Sequence, residues 1–204
     1  MRLPERTGDQ LRIGVAVTVP EPWSGALRAA RARYGDPLAD FIPPHITLLG
    51  PTVVEPGDVD EIEAHLARAA AEHVPFRVRL QGSGTFRPVS PVVFVPLVEG
   101  AQGCAALERS VRSGVLHQEV RFAYHPHVTV AHEVPDAQLD AAEAGVAGFV
   151  AEFVVTAFHS YLHGDDGVWR PVQDFALDGQ RDGVDPTAAA GRADGADAEV
   201  VRPT

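Results

Sequence analysis

The chain has 204 residues, a hydrophobic fraction of 45% and a formal net charge of -11, enough for one domain of ordinary to large size or two small lobes sharing a core. That acidity argues against a broad electrostatic footprint for long duplex nucleic acid, while a small nucleotide or an RNA end needs only a few local groups. All 17 basic residues are arginine, which excludes a P-loop lysine, a Schiff-base lysine and the lysyl-adenylate of ATP-dependent nucleic-acid ligases.

Residues 1–10 are polar, and the apolar run behind them ends at Pro20. This pattern fits neither a signal peptide nor a membrane span. The single Cys104 sits in a helix-like apolar setting and reads as a small buried hydrophobe. A cytoplasmic, reduced monomer without a membrane partner is expected.

Residues 11–19 read as a strand rich in β-branched side chains. Residues 22–34 follow as a helix, with Trp23, Leu27, Ala30 and Tyr34 near helical spacing. After loops at Asp36-Pro37 and Pro43-Pro44, a short strand carries His45-Ile46-Thr47-Leu48 and is closed by Gly50-Pro51. Residues 58–73 form the next helix, Asp58 and Glu61 resembling a capping box and His65 and His73 lying on its polar face. Strands at 76–80 and 92–98 flank a Gly-rich bend that ends in Phe86-Arg87-Pro88, and residues 101–116 are again helical. The strand through 124–132 contains His127-Val128-Thr129-Val130. A helix at 136–146, a strand at 149–162 and an edge strand at 169–177 complete the pattern. From Asp178 onward the sequence is an acidic Gly/Ala/Asp-rich stretch that reads as a disordered tail, leaving 1–177 as the structured unit.

The two tetrads share one order: histidine, apolar, threonine, apolar. Strand alternation puts His45 and Thr47 on one face and Ile46 with Leu48 on the other, and the same holds for His127 and Thr129. One such tetrad is an ordinary core pattern; two, each preceded by proline at Pro44 and Pro126, point to function. The repeat implies an α+β fold of two similar lobes, packed about a pseudo-twofold axis with both imidazoles facing a central cleft. A facing pair divides acid and base duties near neutral pH, and the threonine hydroxyls are placed to donate to phosphoryl oxygens. No metal or other cofactor is needed for that scheme.

At these residues the chain resembles the 2H phosphoesterase superfamily, in particular its 2'-5' RNA ligase-like group. The likeness extends to Phe86-Arg87-Pro88, to the approach Tyr124-His125-Pro126-His127 and to the motif spacing, and covers residues 11–177. It implies a bilobal α+β fold with two antiparallel-rich sheets and outer helices. It also implies hydrolysis of 2',3'-cyclic phosphate or 2'-5'-linked RNA ends, with weak ATP-independent 2'-5' ligation in some members. His45, Thr47, His127 and Thr129 become the catalytic set: His127 activating water, His45 protonating the leaving 2'-oxygen, in an order that the symmetry leaves reversible. Where many relatives carry an arginine after the second motif, this chain has Ala131-His132. His132, Arg87, Phe86 and Tyr124 are therefore the substrate-binding candidates, the first two for charge and the aromatics for stacking. Two other readings remain: a nucleotide- or RNA-end-binding protein without turnover, and a metal enzyme ligated by His125, His127 and His132, joined by His159 and His163 from the adjoining strand.

Overall fold

In the computed structural model, which describes residues 3–120 and 122–179, the first strand forms as β1 (Leu11–Thr18), followed by α1 (Trp23–Arg33) and the first tetrad strand β2 (His45–Val54). Next come α2 (Val59–Ala71), β3 (Phe76–Gln81), the two-residue β4 (Gly84–Thr85), β5 (Val92–Glu99) and α3 (Ala101–Val111). The second tetrad opens β6 (His127–His132), and α4 (Asp136–Gly145), β7 (Val150–Val155), β8 (Ala157–His163) and β9 (Trp169–Ala176) complete the order. Among the described residues no helix is long and apolar enough to cross a membrane.

The strands make two antiparallel sheets, one ordered β2-β1-β8-β9 and the other β4-β5-β3-β7 with β6 against β5. The two tetrads occupy equivalent places. Each motif strand pairs antiparallel with the strand that precedes it across a helix, β2 with β1 and β6 with β5. The two motif strands touch, and the connecting helices cross over, α1 packing on β6 and α3 on β2. Each half thus covers the back of the other half's motif.

Burial fixes which face each tetrad presents. Ile46, Val128 and Val130 are 0% exposed and Leu48 is 1% exposed, each contributing about 1.5–3 kcal/mol of apolar burial. All four belong to one core that spans both sheets. A one-residue register slip would bury the histidines and expose these four, so the hydrophobic term holds His and Thr outward. The likeness continues past the tetrads. Thr47 pairs with Ala16 and Leu49 with Val15, leaving Leu48 as an extra residue. Thr129 likewise pairs with Phe94 and Ala131 with Val93, leaving Val130. Both strands are bulged at the fourth tetrad position, a device that bends a strand and re-aims the side chains beside it.

Several expectations change. The single strand over 149–162 is two strands in different sheets, β7 pairing with β3 and β8 with β1, the chain crossing between them at Thr156. Helix 101–116 stops at Val111 and resumes as a 3-10 turn, Gly114–Leu116, with Gly114 at φ 53°. Asp58 makes no capping hydrogen bond, because a 3-10 turn at Pro56–Asp58 leads into α2 and leaves Asp58 with helical φ and ψ of -91° and -7°, not the extended geometry of a side-chain cap. His65 is buried, its Nε2 3.1 Å from the Val111 carbonyl, and His73 is half-buried against Ser110. Packing of α2 on α3 turns what read as a polar face into an interhelical seam. Cys104 is fully buried as expected, and burial pushes its thiol up to about 12. Residues 180–204 of the expected tail lie outside the described residues.

Candidate active site

Proline placement explains how each imidazole is held. The residue before a proline is confined to extended backbone, so Pro44 and Pro126 fix the carbonyls of Pro43 and His125. Those carbonyls meet the rings: His45 Nδ1 lies 2.7 Å from the Pro43 oxygen, and His127 Nδ1 lies 2.7 Å from the His125 oxygen. A carbonyl only accepts, so Nδ1 carries the proton in both rings. In the neutral imidazole Nε2 is then the basic atom. The same tautomer is imposed twice by the same local device.

Both histidines line one cleft of about 760 Å³ together with Thr47, Thr129, His132, Phe86 and Tyr124. Among the described residues neither the Thr47 nor the Thr129 hydroxyl is engaged, whereas Thr52 and Thr85 spend theirs on the carbonyls of Gly50 and Val92. The two motif hydroxyls are available to an incoming oxyanion. Of the catalytic and substrate-binding residues proposed from sequence, Arg87 alone is not brought to the cleft. It points to α4, its Nη1 2.7 Å from Asp140 and its Nη2 3.0 Å from Glu143. Three carboxylates on α4, counting Asp136 at 3.9 Å, hold it there.

The aromatic candidates serve the frame. Phe86 meets the His127 ring edge-on at 4.9 Å and 88°, and lies 4.3 Å from Phe94, so it forms a wall that restrains the imidazole. Tyr124 donates its hydroxyl to the Thr47 carbonyl at 2.9 Å, and burial pushes its pKa up. This bond ties the approach to the second tetrad directly to the first.

Two arginines of the cleft, Arg31 and Arg112, were not singled out from sequence. Arg31 is the more telling. It is buried on α1, its Nε 3.0 Å from Asp36 and its Nη1 2.8 Å from the Ile42 carbonyl. It braces the loop that delivers Pro43 and His45. The available signal was its spacing: Leu27, Arg31 and Tyr34 fall on one stripe of α1, where an arginine is out of place.

Electrostatics keep both imidazoles neutral. His45 is lowered to about 4, chiefly by desolvation, with Arg31 and His127 adding to the fall and the Pro43 carbonyl opposing it. His127 is lowered by desolvation and by His125, against its own carbonyl bond. His132, 3.7 Å from Glu133, is also lowered by desolvation. His45 feels His127 directly, so an anion between the rings would raise both and let one bind a proton. His125, His127 and His132 do not converge as ligands: among the described residues no group of three histidine, cysteine or acidic side chains is arranged to hold a metal.

A sequence model of the 2'-5' RNA ligase superfamily matches residues 19–167. A Bacillus licheniformis protein named "Putative phosphoesterase" is 27% identical over 173 residues, spanning 82% of this chain and 99% of its own length. Ligand-free LigT of E. coli superposes with a TM-score of 0.59 at 20% identity, covering 85% of this chain and 100% of LigT. TT0787 of Thermus thermophilus reaches 0.55 at 26% identity, over 83% and 100% of the respective chains. LigT has also been solved with 3'-AMP. The paired tetrads, the two antiparallel sheets that carry them and the match over residues 19–167 together show that this chain belongs to the 2'-5' RNA ligase superfamily, a branch of the 2H phosphoesterases.

Proposed function

We propose that this protein hydrolyses a phosphodiester of a small nucleotide or an RNA end, a 2',3'-cyclic phosphate or a 2'-5' link, by general acid and base catalysis from two histidines. The observation that carries the reading is the duplicated geometry: two rings on one cleft, each with Nδ1 held by a carbonyl and each beside an unengaged threonine hydroxyl. Water attacks phosphorus and gives its proton to one Nε2, and the bond from phosphorus to the ribose oxygen breaks as the other Nε2 supplies a proton. Thr47 and Thr129 donate to the non-bridging oxygens as charge builds. Desolvation lowers both rings, and the paired geometry fits either order, with His127 taking the water's proton and His45 supplying the other, or the reverse. The 3'-AMP complex of LigT supports a nucleotide-sized substrate. Weak ATP-independent 2'-5' ligation is the same ring opening with a ribose 5'-hydroxyl in place of water: it attacks the phosphorus of a 2',3'-cyclic phosphate, gives its proton to one Nε2, and the bond to the 3'-oxygen breaks as the other Nε2 protonates that oxygen.

The test is incubation in EDTA with nucleoside 2',3'-cyclic phosphates and 2'-5'-linked dinucleotides, beside His45→Ala and His127→Ala. Product from the wild type alone supports the proposal. Equal nucleotide binding by all three folded proteins, with no product from any, would replace it with a binding function.

A further inference from the structure

Among the described residues the first half has a recess at a place where the second half is packed with aromatic rings. Beside His45 a recess of about 130 Å³ opens over β1 and β2, next to the loop before β2. It shares Ile42, His45, Thr47 and Gly50 with the cleft, so a group seated in it lies next to one held between the histidines. Trp169 roofs it. The indole lies close over β1 because residue 14 is glycine: a Cβ there would stand 3.1 Å from Trp169 Cζ3. Ala16 extends the low floor, and Ile42 supplies a side wall. On the His127 side the corresponding space is filled by Phe86 and Phe94, packed at 4.9 Å and 5.1 Å from that ring.

Trp169 is anchored in place. Its backbone N–H donates to the Phe41 carbonyl at 2.9 Å, and its ring sits 4.9 Å from His163. Besides His45, Thr47 and the indole N–H of Trp169, the recess has the polar side chain of Tyr161, and its hydroxyl is already spent, 2.5 Å from Thr18 Oγ1. Thr18 in turn lies 3.1 Å from His159, which is 3.4 Å from Asp174. The recess therefore offers a flat aromatic face and mainly apolar walls, with the polar groups of Thr47 and His45 lying at the edge shared with the cleft.

We propose that this recess seats the nucleobase of the substrate, stacked on Trp169, with the phosphate passing beside Thr47 to the paired histidines. Resting on the phosphoesterase reading given above, this places the base-bearing ribose on the His45 side. Recognition by stacking and shape makes the site tolerant of base identity, because every base has a π face.

The chain has two tryptophans, and Trp23 lies elsewhere, packed on Phe153, so Trp23→Phe leaves Trp169 as the reporter. Adenosine and uridine 3'-monophosphates and inorganic phosphate are titrated separately, with affinity measured by calorimetry. Both nucleotides should quench the indole and phosphate alone should not. Trp169→Ala should weaken nucleotide binding about tenfold or more while shifting phosphate binding far less, and Trp169→Phe should restore most of the loss. The proposal is overturned if nucleotides bind without changing Trp169 emission, if Trp169→Ala keeps their affinity, or if neither nucleotide binds. It is equally overturned if Phe122→Ala, altering an exposed aromatic of the cleft, produces that loss instead. Turnover with a silent Trp169 would sink this inference and leave the phosphoesterase reading standing; quenching without turnover would do the opposite.

Discussion

Replacing His45 by glutamine should change how stability depends on pH, and the size of the change follows from the site. The His45 ring is lowered from 6.5 to about 4, so between those values the unfolded chain binds a proton that the folded chain does not. Stability rises with pH wherever the unfolded state holds more protons. The contribution is therefore complete above pH 6.5 and is lost as the pH falls toward 4. Integrating the difference gives a loss of about 1 kcal/mol at pH 6, about 2 kcal/mol at pH 5 and about 3 kcal/mol at pH 4. These are upper values, because one edge of the ring faces the open cleft. Other lowered histidines, His127, His132 and His163 among them, titrate in both proteins and largely cancel in the difference. Urea midpoints for wild type and His45→Gln, taken at half-unit steps from pH 7 to pH 4, measure it at unchanged m-value. The wild type should lose stability faster on acidification, so the gap between the two proteins should shift in favour of the variant by up to that amount. A gap that is constant across the series would refute the placement of a neutral, desolvated His45.

Thr47→Val and Thr129→Val keep side-chain shape while removing the hydroxyls, and each should lower kcat about a hundredfold with a much smaller change in KM, the pattern of a donor used in the transition state; equal kcat values would exclude those hydroxyls from the chemistry. Arg31→Met leaves Asp36 buried without its cation, which should destabilise the fold by about 3–5 kcal/mol. Thermal unfolding of Arg31→Met beside the double variant Arg31→Met/Asp36→Leu checks this, because the second change should recover most of the loss.

The tetrads were legible because their information is local. A period of two, with valine, isoleucine and leucine at alternate positions, settles which residues face the core, and a proline before each histidine settles where one carbonyl points. Helix spacing carried part of the rest, yet Arg31 on the stripe of α1 looked like any arginine until the Asp36 carboxylate and the Ile42 carbonyl were seen around it. The run from Val150 to Leu162 shows the limit of local reading. It is continuously strand-like with no Gly or Pro to punctuate it, and it divides at Thr156 only because β3 and β1, far away in sequence, claim its two parts for different sheets.

By itself the sequence determined the two tetrads, their facing and the α+β character, all of which follow from spacing along a few residues of chain. Tertiary structure decided what surrounds them: which arginine braces the His45 loop, that α4 captures Arg87, that Phe86 and Tyr124 serve the frame, and that a recess opens beside one histidine and not the other. Those outcomes depend on desolvation and on partners brought together across the fold, and neither is a property of a short stretch of chain.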